Sequence, residues 1–197
     1  MLTTDDVYET RYGWTRRTSR KAVTNAMTAA VAVLALAVGA AKGGTLGAVI
    51  VVLGVLALLL GAGSAALSFA TVRRRQVALR VDTDGILLGG YPLGYARTTA
   101  LVPWSDIVGV ELWVQRAGSM AFVGLHRTEG APPLPAASSN PALARANERA
   151  SGMCLDLLSA SRPVHLWQLD TQRLLTTIAR HAPHVVITVD PAFPGQG

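Results

Sequence analysis

The side chains able to do chemistry are few and scattered. The single cysteine, Cys154, stands between Met153 and Leu155 and reads as a small buried hydrophobe; alone, it excludes an intramolecular disulfide framework. Of the four histidines only His181 and His184 are close, and Pro183 lies between them. A metal centre there would need further carboxylates or imidazoles that the neighbouring sequence does not supply. His126 and His165 are isolated and expected as satisfied surface groups on strands. Gly85, Gly89, Gly90 and Gly94 are not followed by a helix or a closing Lys-Ser/Thr, so they do not form a phosphate loop. No catalytic, cofactor-binding or metal site is expected from these residues. The expectation is a chain that is not an enzyme, set against an enzyme built from His, Asp and Ser converging from separate strands.

The cations are more ordered. Arg11, Arg16, Arg17, Arg20 and Lys21 form one cluster and Arg73, Arg74 and Arg75 another. Beside apolar runs, such clusters fix topology by staying on the cytoplasmic side. They can also hold anionic lipid, at about 1 kcal/mol per basic side chain near a charged leaflet. The residues assigned to this membrane-interface role are Arg16, Arg17, Arg20, Lys21, Arg73, Arg74 and Arg75. The formal charge of +6 is spread thinly over the chain and sixteen of the eighteen basic residues are arginine. That is not the concentrated excess of a nucleic-acid-binding domain, and no nucleic-acid partner is expected.

What positions these clusters is the apolar sequence between them. Of 197 residues 50% are hydrophobic and 15% charged, against about 25% charged in ordinary globular chains. The deficit is local: Ala22–Ala41 and Gly43–Val72 hold no Asp, Glu, Lys, Arg or His. At 1.5 Å per residue they are about 30 and 45 Å long as helices, enough to cross a bilayer. The expected division is a basic cytoplasmic segment at 1–21 and a two-span hairpin at 22–72. Its spans run 22–41 and 45–70, with a turn near 42–44. Both termini are then cytoplasmic, in a multi-pass cell-membrane protein whose solvent is the lipid bilayer. Trp14 and Tyr12 would anchor the first span at the interface. A cleaved signal ending near Ala40 is the rival, although Thr18, Ser19 and Arg20 fit a twin-arginine pattern poorly.

Small-residue ladders, Ala35-x-x-x-Gly39 and Ala57-x-x-x-Gly61-x-x-x-Ala65, would pack the spans on each other, on a second copy or on an unidentified membrane protein. Neither span carries an ionisable group, which argues against a transporter or pump.

Beyond Arg75 the apolar period changes to two. Strands are expected at Val77–Val81, from Ile86, at Ala100–Val102, at Ile107–Gln115 and at Met120–His126, with Asp82-Thr83-Asp84-Gly85 as a turn. Residues 127–151, rich in Pro and Ala, read as a long excursion ending in one helical turn near Arg145–Arg149. Met153–Leu158 and Pro163–Leu169 are further strand candidates. Asp170 is placed to cap a helix over Thr171–Ala182, and Val185–Val189 reads as a last strand before a tail at 190–197.

Val81-Asp82-Thr83-Asp84-Gly85-Ile86, followed by Val102-Pro103-Trp104-Ser105-Asp106-Ile107 running into Val108–Trp113, resembles bacterial PH-like domains, which are commonly attached to one or two membrane spans. The resemblance covers roughly Gln76–Ala182. It implies an antiparallel β-barrel or sandwich at 76–189 closed by a C-terminal helix, with a binding or scaffolding role and no cofactor. Residues 127–151 depart from it, where middle strands should lie. The family's phosphoinositide-gripping loop would here be the acidic turn Asp82–Gly85, so that ligand does not carry over. The fold class expected is therefore α+β, a transmembrane helical hairpin followed by a PH-like domain. An accessory subunit of a larger envelope complex is the alternative.

Overall fold

A computed structural model describes residues 6–91, 94–115, 120–135, 141–165 and 167–194. The chain is mixed α+β and divides into two compact units, Trp14–Arg74 and a second made of Met1–Gly13 with Arg75–Gly197.

The first unit is a helical hairpin. Helix α1 spans Arg16–Lys42 and α2 spans Gly44–Arg74. The reversal needs left-handed backbone at two successive residues, φ +62° at Gly43 and +63° at Gly44, which glycine adopts without a Cβ penalty. The seam between the helices is written in small residues seven apart. Asn25, Ala32 and Gly39 on α1 face α2, and Gly47 and Gly54 answer on α2. A Cβ on Gly47 would lie 2.6 Å from the Gly39 carbonyl oxygen, and one on Gly54 would lie 3.2 Å from that of Ala32. At the Gly39–Gly47 crossing the backbones therefore approach until even a methyl group does not fit. A seven-residue repeat keeps the contact on one face along both helices. Asn25 closes the far end by donating from Nδ2 to Ser64 Oγ at 3.1 Å, and Ser64 in turn donates to the Gly61 carbonyl. Of the glycines in the expected ladders, Gly39 sits in this seam, whereas a Cβ on Gly61 would have nothing within 4 Å.

The second unit is built on two four-stranded sheets. In the first, β1 (Tyr8–Arg11), β2 (Val77–Val81), β3 (Gly85–Leu88) and β4 (Ala100–Pro103) pair antiparallel in that order. A short helix α3 (Tyr95–Thr98) precedes β4, and a 3₁₀ turn at Trp104–Asp106 carries the chain into the second sheet. There β5 (Ile107–Gln115) and β6 (Met120–Arg127) form a long antiparallel pair. Helix α4 (Pro141–Ser151) and helix α5 (Leu155–Ser159) lead to β7 (Ser161–Pro163) on the β6 edge. Helix α6 (Thr171–His181) returns the chain to β8 (Val186–Val189), which lies parallel to β5. No strand of one sheet pairs with a strand of the other among the described residues, so the layers form an open sandwich and the barrel form of the expectation is not adopted.

Alternation sets the core. Tyr8, Val81, Ile86 and Val102 lie in register across the first sheet and point inward, with Leu79, Leu88 and Ala100 in the next row. Val110, Leu112, Ala121, Val123 and Leu125 meet them from the second sheet. Leu174 and Ile178, fully buried and four apart on α6, complete the layer. Each large apolar side chain buried this way contributes about 1.5–3 kcal/mol. Asp170 caps α6 as expected, its carboxylate accepting from the Arg173 N–H at 3.0 Å.

Several expectations change. Residues 8–11, inside the segment read as a basic tail, are a strand of the domain, because Tyr8, Thr10 and Tyr12 alternate with Glu9 and Arg11. Tyr12 is consequently 6% exposed, its hydroxyl donating to the Gly90 carbonyl at 2.9 Å, and is not an interfacial anchor. Trp14 is 50% exposed. The expected strand Met153–Leu158 is replaced by the helix Leu155–Ser159: Leu157 alone of its residues is buried, and a short leucine-rich run does not distinguish the two by period. Cys154 is exposed ahead of that helix, contrary to the buried reading. Pro163–Leu169 leaves the sheet after Pro163, where the indole of Trp167 donates to the Pro163 carbonyl and turns the chain. The excursion carries an eleven-residue helix, α4, in place of a single turn. The expected turn at Ala117-Gly118-Ser119 lies outside the described residues.

Because the domain's own hydrogen bonds bring Tyr12 N–H to the Gln76 carbonyl at 2.9 Å, replacing Trp14–Arg74 by a short Gly/Asn turn should leave a water-soluble, cooperatively unfolding domain. Dispersed amide resonances in a heteronuclear NMR spectrum check this; a collapsed spectrum is the contrary result.

Candidate functional site

The candidate membrane interface begins with helix ends. Arg16, Arg17, Arg20 and Lys21 occupy the first turns of α1; their backbone is helical and their side chains lie outside the described ones. Arg73 and Arg74 form the last turn of α2, and Arg75 follows with φ +45°; all three are exposed. The antiparallel register, with Gly39 against Gly47 and Asn25 against Ser64, carries the α1 cluster and Arg73–Arg74 to the same end of the hairpin.

The two clusters are not equivalent electrostatically. A helix C-terminus favours cations, so Arg73 and Arg74 complement α2. The first turn of α1 has no acidic residue and carries Arg16 and Arg17 against the dipole. Their position is mildly unfavourable to the helix itself, by about 0.3–1 kcal/mol per charge.

Between the charged ends, Val23–Lys42 and Gly44–Ala66 are 20 and 23 residues with mean hydropathy 1.9 and 2.7, and only 11% of each stretch is buried. Leu34, Leu53, Leu59 and Leu60 are 60–68% exposed. Two helices of this length and composition could cross a membrane, and their unburied leucines are the opposite of what a soluble core helix shows.

Within the sandwich the buried charge is Arg162 on β7, 1% exposed. Its Nε donates to the Gly89 carbonyl at 2.7 Å, Nη1 to those of Ser161 and Ser159 at 2.9 and 3.3 Å, and Nη2 to that of Thr98 at 2.9 Å. The guanidinium lies 5.1 Å from the Tyr91 ring centroid. Gly89 and Thr98 flank strands of the first sheet and β7 belongs to the second, so one planar fork ties the layers together. Burial lowers its pKa, with Tyr91 and Tyr12 opposing. The fork is occupied by four backbone oxygens and the Tyr91 side chain, which makes Arg162 a structural tie and not an anion receptor. Sequence reading missed it because nothing local marks Ser161-Arg162-Pro163 as buried.

Other polar groups pair off. His126, 44% exposed at the side chain, lies 2.7 Å from Glu111. His181 stacks on Trp104 with ring centroids 6.4 Å apart, and its Nε2 lies 2.7 Å from the Asp6 carbonyl. The acidic turn is partly compensated, Asp82 pairing with Arg80 at 2.7 Å. Trp104 donates from its indole to the Asp82 carbonyl, and Trp113 is buried under α5 against Phe122 at 4.3 Å. Two open grooves of about 340 and 330 Å³ run along α6 and β1. They share Asp170 and Arg173; Arg180 adds a cation to the first and Glu9 an anion to the second, so each groove is lined by both signs of charge. No group of three His, Cys, Asp or Glu that could hold a metal occurs among the described residues. Compared with family models, curated proteins and solved structures, the chain matches none.

Burial also pushes the Tyr12 hydroxyl up to about 12 from its ordinary 10. A raised acid pKa means that the folded state holds the proton more tightly. The associated stability is complete below pH 10 and is lost as pH rises through 12, on the order of 2–3 kcal/mol in all. Urea melts between pH 9 and 12 should show this loss, and Tyr12→Phe should flatten it; an equally steep Tyr12→Phe profile would contradict the assignment.

Proposed function

We propose that the chain is a membrane-tethered, non-enzymatic module that presents a PH-like binding or scaffolding domain at the cytoplasmic face of a bacterial membrane. The observation that carries the reading is the insertion of the helical hairpin between two paired strands. β1 lies before the hairpin and β2 after it, with Tyr8 opposite Val81 and Thr10 opposite Leu79. A sheet cannot form across a bilayer, so both flanks of the hairpin belong to one compartment. Those flanks carry the arginine clusters, and the compartment that retains cations is the cytoplasm.

The same pairing supports an uncleaved first span. Cutting near Ala40 would detach β1 and with it Tyr8 and Tyr12, 3% and 6% exposed in the core. The PH-like reading draws on the two-sheet sandwich, the Trp104 turn that joins its layers, and α6 lying on the core. Its departures are the β1 strand on the far side of the hairpin, the helical stretch at α4 and α5, and the parallel β8. Tethering confines the domain to a thin layer, raising its effective concentration toward membrane partners so that weak contacts suffice.

An accessory-subunit role in an envelope complex is the second reading. It is favoured by Gly61 and Gly63, which lie on α2 with open space where a Cβ would project and are not used by the hairpin seam.

Arg73, Arg74 and Arg75 test the interface. Changing all three to Glu should invert or scramble sidedness, read by protease protection of spheroplasts. It should also weaken association of the purified protein with phosphatidylglycerol vesicles by about tenfold or more, since each cation near the surface is worth about 1 kcal/mol. Unchanged sidedness together with unchanged vesicle binding would contradict the assignment.

A further inference from the structure

We infer that folding of the domain is coupled to complete insertion of the hairpin: the sandwich closes only when the segment between β1 and β2 crosses the membrane an even number of times. The inference rests on the membrane-spanning reading above and adds a consequence for assembly. During synthesis β1 emerges first, and 65 residues separate Arg11 from Val77, its partner in the ladder. Until both helices have crossed and returned, β1 has no β2 to pair with.

What is withheld in the meantime is substantial. Tyr8 and Tyr12 belong to the main core, Tyr8 accepts the Asp170 N–H at 3.1 Å, and Thr10 Oγ donates to the Gln168 carbonyl at 2.9 Å. Asp6 holds Arg180 at 3.2 Å, and its carbonyl accepts from His181. The 6–12 segment thus anchors the first sheet, the approach to α6 and the end of α6 itself. A chain with a single crossing places this segment and the rest of the domain in different compartments. The domain then exposes Val81, Leu79 and the apolar face of α6, a surface open to proteases. A correctly inserted chain folds and survives, whereas a half-inserted one stays open. The weaker of the two spans is the first, with mean hydropathy 1.9 against 2.7, so failure to insert would arise there.

The test uses the full chain in membranes. In one variant residues 23–42 are replaced by a polar Gly/Ser/Asn stretch of equal length, leaving one span. In a second they are replaced by a Leu/Ala span, restoring two. A third adds to the one-span variant a second copy of residues 6–13, joined to Gln76 by a short Gly/Asn turn. Limited proteolysis of the domain is followed in permeabilised vesicles, and its sidedness is read by an impermeant maleimide on Cys154, the single, exposed cysteine.

The one-span variant should be digested about tenfold faster than wild type or more, because cleavage follows the population of open domain. The Leu/Ala variant and the variant with the second strand copy should both be protected like wild type. Wild-type resistance in the one-span variant, with Cys154 on the side opposite the N-terminus, would overturn the coupling. So would digestion of the Leu/Ala variant as fast as the one-span chain. Wild-type chain recovered in the supernatant of a carbonate wash would instead defeat the membrane reading, and the coupling with it.

Discussion

Everything in this chain is arranged around one backbone ladder that closes over an interruption. β1 and β2 are ordinary neighbours in an antiparallel sheet, with four residue pairs and a bulge between Thr10 and Arg11. Between them stand two helices of 27 and 31 residues. A hairpin turn of two or three residues would satisfy the geometry of the ladder; here the connection is an entire apolar unit. Closing so long a loop has a modest entropic penalty that grows only with the logarithm of its length. The helices recover it by packing on each other, so the loop is itself a folded body.

The two units dispose their apolar side chains in opposite ways. In the hairpin, most large apolar side chains point outward, and the helices meet where Gly39, Gly47 and Gly54 let backbone, Leu36 and Val51 approach, with one Asn–Ser hydrogen bond beyond. That choice makes sense where the surroundings are as apolar as leucine and only close packing or polar pairing distinguishes helix from solvent. In the sandwich the leucines and valines turn inward, and the rare buried charge, Arg162, is held by four backbone carbonyls. Removing that fork would leave those oxygens buried without donors, and such groups are costly to strand.

The sequence was legible where a single period runs uninterrupted. The uncharged stretches, the alternation of Ile107–Gln115 and the Asp170-capped helix are all local patterns, and the structure has an element at each. Legibility failed where the deciding partner is remote. Tyr8 and Tyr12 look like part of a basic tail until β2, more than sixty residues later, is placed beside them. Arg162 looks solvent-bound until Gly89 and Thr98 are seen to present carbonyls to it. Leu155–Ser159 is too short for its apolar spacing to separate helix from strand, and the roof it makes over Trp113 is a tertiary fact. Both arginine clusters are visible in the sequence as the flanks of the apolar stretches. The sequence does not reveal that β1, before the hairpin, pairs with β2 after it.

The most direct measurement is a disulfide across the interrupted ladder. Glu9 and Arg80 are directly opposed on the outer row of the first sheet. In native membranes, Glu9→Cys with Arg80→Cys, in a Cys154→Ser background, should cross-link rapidly under mild oxidant, while Glu9→Cys with Leu101→Cys, two strands further across the sheet, should not. If the Glu9–Arg80 pair stays reduced in membrane-inserted protein while the distant pair oxidises as readily, the strand before the hairpin does not belong to the domain after it.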